Sequence, residues 1–391
     1  VSPELHGAVH ADPPTLPVLE HERVPAIDPL PAAETAFVGF AAGGPLDRPV
    51  RVSSLDEFSA AFSDPDHPRA GPLVRGGMLG HAVRGFFENG GGACWVIRTP
   101  GTPGESDEAA HVGIASGGGM QLLATLDGPL VIVAPDAYGI GPDPAIADRV
   151  QAALGRLADA SADRIAILAA PMDATTQDVL QWRARLGLDS PAAAVFHPWI
   201  SPGDGPAGLR RTITPVGHVA GVWARLERRH GVGRAPTASR LAGAASLQGE
   251  VARDEQQQLQ RNGINVLRAW PEETVHVWGA RSLSSDQDFR YVHHRRIVAH
   301  LAGSVLRGTA WVGTTDGDED VQRRVRLAVV DFLGRAWRDG LLHGAAAEQA
   351  FQVETEVVQD GRRRALVLTL GLAIRHPAEL RRVRVAQPLA Q

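Results

Sequence analysis

The stretch Asn262–Leu306, NGINVLRAWPEETVHVWGARSLSSDQDFRYVHHRRIVAHLAGSVL, sets two strands, a turn and a helix in one short span. Asn262-Gly263 is turn chemistry, and the apolar run Ile264–Trp270 after it is short enough for a strand that Pro271 ends. Val275 to Gly279 reads as a second strand and Ser284-Ser285-Asp286 as a turn. Tyr291-Val292 reads as a short extended piece before a helix on which Ile297, Val298, Leu301 and Val305 share one face.

Upstream, residues 129–260 alternate strands and helices. Leu130–Ala134, Ile165–Ala170 and Ala192–Phe196 are apolar runs; the first two end in Pro-Asp or Pro-Met-Asp, and helical periodicity follows each of them. That rhythm is what a parallel sheet with covering helices needs. Further upstream, Thr35–Ala41 is strand-like, Ser53 or Ser54 can cap a short helix carrying Phe58 and Phe62, and Leu79, Val83, Phe86 and Phe87 mark a helix before the strand Ala93–Ile97. Residues 1–33 hold seven prolines, Pro3, Pro13, Pro14, Pro17, Pro25, Pro29 and Pro31, with few large apolar residues, so an extended arm is expected there.

Downstream, Thr309–Val312 reads as a short strand, and residues 321–338 as a helix with Val321, Val325, Ala328, Phe332 and Ala336 on one side. Its arginines lie mostly off that side. The runs 351–358 and 363–374 flank Asp360-Gly361, a hairpin signal, and Pro377 stops the second run. Residues 379–390 have strand character and read as an edge strand without a partner of its own.

These patterns carry a resemblance. Gly263-Ile264-Asn265 with Arg268 and Trp270-Pro271, then Val277 through Asp286, then Phe289, Tyr291-Val292 and Arg295-Arg296, resemble the C-terminal domain of contractile tail sheath proteins. Gly44-Pro45-Leu46, Pro49-Val50, Val52, Ser54 and Glu57-Phe58, followed by Ala82-Val83, Gly85-Phe86-Phe87 and Asn89-Gly90-Gly91, resemble the N-terminal half of the same family. Residues 231–236 match a family phrase imperfectly, and GTTDGDED after Val312 replaces an acidic, Phe-containing phrase. The resemblance implies an α/β central (subtilisin-like) domain plus an α+β C-terminal sheath domain, with extended N- and C-terminal arms. The expected divisions are an arm at 1–33, a central domain at 34–261, a C-terminal domain at 262–378 and an arm strand at 379–391. It implies a structural sheath subunit of a phage tail, bacteriocin or injection system. Such a subunit polymerises with itself around an inner tube protein, meets baseplate and terminator or cap proteins, and contracts. A cap or adaptor of the same family and a degenerate α/β hydrolase are the alternatives.

Composition fits a globular chain with 44% hydrophobic and 21% charged residues. A formal net charge of −5 gives no reason to expect nucleic acid as a partner, and all 39 basic Lys-or-Arg residues are Arg. Cys94 is the only cysteine, which excludes a disulfide framework and a cysteine metal cluster. No apolar run is long enough to insert in a membrane, and neither a basic n-region nor an apolar h-region opens the sequence. Assembly in the cytoplasm is expected, with release as an extracellular particle or within a virion tail.

The motifs of enzyme chemistry are absent or out of place. Gly90-Gly91-Gly92 precedes a strand, whereas a phosphate cradle needs glycines after a strand and before a helix; Gly117-Gly118-Gly119 has no Lys-Ser/Thr behind it. No G-x-S-x-G occurs. Asp136 and Asp173 follow strands, where α/β sites gather, but an Asp there also serves as a loop residue or cap. His293-His294, read as adjacent on a strand, would face opposite sides and could not share a metal. No catalytic residue, cofactor or metal is expected. The candidate sites are contacts: Arg323, Arg324, Arg335 and Arg338 towards the tube, and Pro25, Ile27, Val383 and Val385 in arms that pair with a neighbour's sheet edge.

Overall fold

The computed structural model describes residues 25–104, 118–140, 143–202, 212–270, 274–360 and 363–390. Gly117, most of the loop expected at 202–213, Pro271, Gly361 and the arm before Pro25 lie outside the described residues.

The first half of the chain runs β1 (Glu34–Gly39), β2 (Val50–Val52), α1 (Leu55–Phe62), α2 (Leu79–Glu88), β3 (Cys94–Arg98), β4 (Leu130–Val133), α3 (Pro144–Ala160), β5 (Arg164–Ala169), α4 (Thr176–Leu186), β6 (Ala193–His197) and β7 (Ile200–Ser201). Then come α5 (Val216–His230), β8 (Ser239–Arg240), β9 (Ser246–Leu247), α6 (Arg253–Arg261), β10 (Ile264–Trp270), β11 (Thr274–Trp278), α7 (Val292–Gly308), α8 (Glu319–Arg338), α9 (Ala347–Ala350) and the strands β12 (Phe351–Asp360), β13 (Arg363–Leu372) and β14 (Arg381–Pro388).

Nine strands form one sheet in the order β2-β3-β1-β4-β5-β6-β10-β11-β8. Its middle, from β3 to β10, is parallel; β2 at one edge and β11 with β8 at the other are antiparallel. Every residue of β4, β5 and β6 is buried, which is why these strands read as unbroken apolar runs rather than alternating ones. Helices α2 and α5 cross closely because Gly217 and Gly221 face the α2 backbone at Ala82 and Phe86, where a Cβ would collide.

The sheet runs through the division expected at 261/262. β10 pairs in parallel with β6 (Ile264 opposite Val195), so the motif-bearing strands 264–278 complete the large sheet rather than open a separate domain. A second apolar core, containing Leu301, Val305, Val325, Phe332, Leu368 and Leu370, lies between α7, α8 and the sheet β12-β13-β14.

Three local expectations are corrected. Thr309–Val312 is no strand: Ala310–Thr314 is a 3-10 turn, because the Thr309 N–H and hydroxyl both still donate to the Val305 carbonyl and carry the helical path onward. His293 and His294 sit in the first turn of α7, with ring centroids 4.4 Å apart, not on a strand. Residues 381–388 do have a partner in their own chain: β14 pairs antiparallel with β13 along its whole length, from Leu372 opposite Arg381 to Ala365 opposite Pro388.

Candidate functional site: the sheet crevice, the domain junction and the outer helix

In a sheet wound in both directions from one point, ligands bind at the carboxyl ends of the strands flanking that point. Here β1 connects outward to β3 on one side and β4 leads to β5 and β6 on the other. The crevice between β1 and β4 is filled by the protein itself. Asp136, just after β4, is fully buried and its carboxylate accepts the N–H groups of Phe40 (2.9 Å) and Met78. Met78 is the N-cap position of α2 and offers no side-chain cap, so Asp136 supplies from across the crevice the negative charge that a phosphate would bring to a helix N-terminus. Burial pushes its carboxyl up to about 6, against the lowering effect of the backbone N–H donors. Gly39 is required beside it, since a Cβ there would overlap the carboxylate. Asp173, the other candidate, is exposed, has φ 56° and holds Gln248.

Burial also sets the state of four other groups that could do chemistry. Burial raises the Cys94 thiol, and desolvation lowers the imidazoles of His197, His218 and His293 to about 4, so they are neutral near pH 7. Among the described residues no group of three or more His, Cys, Asp and Glu is placed to hold a metal ion. Among them, too, no helix is long and apolar enough to cross a membrane.

A buried junction joins the two cores. Glu227 at the end of α5 accepts the Arg296 guanidinium of α7 on one oxygen and the Ala33 N–H on the other, at 3.2 Å. Arg296 also lies 5.3 Å over the Trp223 ring. Composition did not reveal this pair: Glu227 reads as one charge among Arg228, Arg229 and His230 at a helix end.

The four arginines expected to face a tube do not act alike. Arg323 is exposed and pairs with Asp320 one turn back; Arg338 is exposed. Arg324 turns inward, 5.3 Å over Trp311, and Arg335 donates to the Ile27 carbonyl at 2.9 Å while lying 3.4 Å from Asp331. Between the two exposed ones on the helix surface stand Leu327 and Val330, both exposed. Helical periodicity marks only the core side of α8, so the sequence pattern does not single out this apolar pair.

The arm residues are also placed. Ile27 is buried against Gly308 and Leu30 against Gly303, with the Leu30 N–H donating to Ser304 Oγ at 2.8 Å. Pro25 is exposed. Val385 is buried in its own chain's second core and Val383 packs at that core's edge. The described part of each arm is therefore seated on its own chain.

Residues 129–283 match the family model of the phage tail sheath protein central domain. No curated protein matches by sequence. Among solved structures, a chain of the contracted sheath complex of the extracellular contractile injection system PVC is 21% identical, covering 95% of this chain and 96% of that one with a TM-score of 0.71. A chain of the contracted helical sheath of the anti-feeding prophage is 22% identical over 95% and 98%, with a TM-score of 0.70. The sheath tail protein Lin1278 from Listeria innocua is 11% identical over 91% and 95%, with a TM-score of 0.66.

Proposed function

We propose that this chain, whose central domain belongs to the phage tail sheath family, is the structural subunit of a contractile sheath. In this reading, copies polymerise around an inner tube protein, meet baseplate and terminator proteins at the ends, and contract to drive the tube through a target envelope. One observation carries it: the shared fold continues over 95% of this chain and 96–98% of two contracted sheath subunits, rather than stopping at a portable module.

The crevice fits a non-enzymatic role. With Asp136 on the α2 N-terminus, the position where a nucleotide phosphate would dock is already used, so the work of contraction comes from a metastable packing of subunits. The residues before Pro25, and residues 379–391 once released from β13, act as arms between copies, and the exposed arginines of α8 face the tube. A second reading, a sheath-family subunit at the baseplate, is favoured by a 21% identical chain in the anti-feeding prophage baseplate, with a TM-score of 0.69.

Negative-stain microscopy of the purified chain, alone and co-expressed with its tube protein, tests the proposal. Tubes or stacked rings of uniform width are expected. A chain that stays monomeric at high concentration and leaves the tube bare overturns it, and single rings without tubes favour the baseplate reading.

A further inference from the structure

Beside the β10–β11 strands lies an open cleft of about 220 Å³ that the crevice and junction do not use, lined by Thr237, Gln260, Trp278, Arg281, Tyr291 and His293. Its wall is aromatic. Tyr291 is exposed and lies 5.7 Å from His293, and the Arg281 guanidinium stacks 5.6 Å over the Tyr291 ring. Outside the cleft, Trp270 backs Trp278, its ring centroid 5.7 Å from those of both Trp278 and His276. The floor is held rigidly: buried Asn265 accepts the Arg281 N–H at 2.7 Å and donates to the Arg281 carbonyl at 2.8 Å. Gly279 is needed there because a Cβ would come 2.5 Å from the Asn265 oxygen. Among the described residues no carboxylate lines the cleft, and Arg281 gives it positive charge.

Rigid aromatic walls with few polar groups suit a polyproline helix, whose rings dock without further loss of backbone freedom. The same chain carries such a ligand in Asp12-Pro13-Pro14-Thr15-Leu16-Pro17, a P-x-x-P segment. Residues 1–22 contain Glu4, Asp12, Glu20 and Glu22 and no Arg, which complements Arg281. We infer that the cleft between Trp278 and Tyr291 receives the Asp12–Pro17 segment of an adjacent copy, with Pro14 and Pro17 against the aromatic wall and Asp12 towards Arg281.

The donor is another copy for a geometric reason. Going back along the chain, Ala33 sits at Glu227 beside Arg296, Leu30 at Gly303 and Ser304, and Ile27 at Gly308. The segment thus follows α7 towards its C-terminal end, whereas Tyr291 stands at the N-cap. α7 is about 25 Å long, and the eight residue steps from Pro17 to Pro25 would span about 25 Å as a polyproline helix. To fill its own cleft the chain would have to double back at nearly full extension along the whole of α7, beside residues 27–33, whereas a neighbour's segment meets no such demand. Because the donor is an adjacent copy, the inference rests on the proposed polymer.

The test uses a fluorescein-labelled synthetic peptide, His10–Glu22, titrated with the full chain at concentrations where it is monomeric and followed by fluorescence polarisation. Saturable binding is expected. Tyr291→Ala should weaken it about tenfold, as loss of one aromatic partner does, and Arg281→Glu should weaken it in low salt. A peptide with Ala at positions 13, 14 and 17 should not bind. Thermal melting establishes that both variants are folded. Absent binding, binding that survives both substitutions, or equal binding of the alanine peptide each overturns the inference. Peptide binding by a chain that never polymerises would instead remove the sheath reading and keep the cleft, so the two failures are distinct.

Discussion

Glu227 and Arg296 form an ion pair whose side chains are only 6% and 5% exposed, across the seam between the sheet domain and the helix that supports the second core. The remaining oxygen of Glu227 holds the Ala33 N–H, so one carboxylate fixes α5, α7 and the segment entering β1. Such a pair adds little over an apolar replacement, but half of it is costly, because the other charge stays buried and unpaired. Glu227→Ala should therefore lower stability by about 3–5 kcal/mol, measured by chemical denaturation. Glu227→Leu combined with Arg296→Met should recover most of that loss. If the single and double variants are equally destabilised, the junction is held by packing and not by the pair.

Acidification should destabilise the fold, and the signs are opposed between groups. His197, His218 and His293 have folded values of about 4 against 6.5 unfolded, so the unfolded chain binds more protons between those values. Their contribution is complete above pH 6.5 and is lost as pH falls through 4. Asp136 is raised to about 6 from 3.8, so its contribution is present below 3.8 and is lost as pH rises through 6. Three imidazoles outweigh one carboxyl, and denaturation midpoints should drop from pH 7 to pH 5. Asp136→Asn should make that drop steeper, since the one opposing group is gone, while leaving one of the Phe40 and Met78 N–H groups with a poorer acceptor. A flat midpoint across this range would mean the histidines are hydrated in solution.

The exposed and inward arginines of α8 should separate in a tube-docking assay. Arg323→Glu with Arg338→Glu should weaken sheathing of the tube and leave the melting temperature nearly unchanged, because exposed pairs such as Arg323–Asp320 contribute only ~0–1 kcal/mol. Arg324→Glu should lower the melting temperature instead, since its guanidinium covers Trp311. Full sheathing by the double variant in moderate salt would place α8 away from the tube.

What the sequence made legible follows from the range of the forces involved. The buried strands β4 to β6 and the hairpin at Asp360 are local patterns, and they were readable as such. The parallel pairing of Ile264 with Val195 is not local: nothing in a strand's own residues names a partner some seventy positions away. The placement of β14 escaped for a similar reason, because Pro377 ends the hairpin pattern while Ala378, with φ 62°, turns the chain back onto β13. Periodicity found the buried side of α8 but was blind to the uses of its exposed side, where Arg324 bends inward and Leu327 stays out. Asp136 reads from the sequence as a sheet-edge site carboxylate, a loop residue or a cap, and only the fold brings the α2 N-terminus to it.

The pairing of β14 with its own hairpin makes strand exchange testable. If copies are joined by donating residues 379–391, the strand must leave β13 of its own chain, freeing a sheet edge that accepts a neighbour's strand. Val385 and Leu389 would then bury in the second core of another copy, and the interface would cost no new apolar surface. Thr369 and Arg384 lie opposite each other, in line with Glu354, and Arg384 reaches Glu356 at 2.9 Å through side chains 64% and 58% exposed, so replacing it loses little stability. The double substitution Thr369→Cys and Arg384→Cys should form a disulfide, with Cys94 too buried to interfere. Oxidised protein should be folded, at least as stable as the parent, and unable to form sheaths. Reduction should restore assembly at the original concentration dependence. Normal sheaths from fully oxidised protein would show that β14 stays at home in the polymer, and that copies are joined by some other surface.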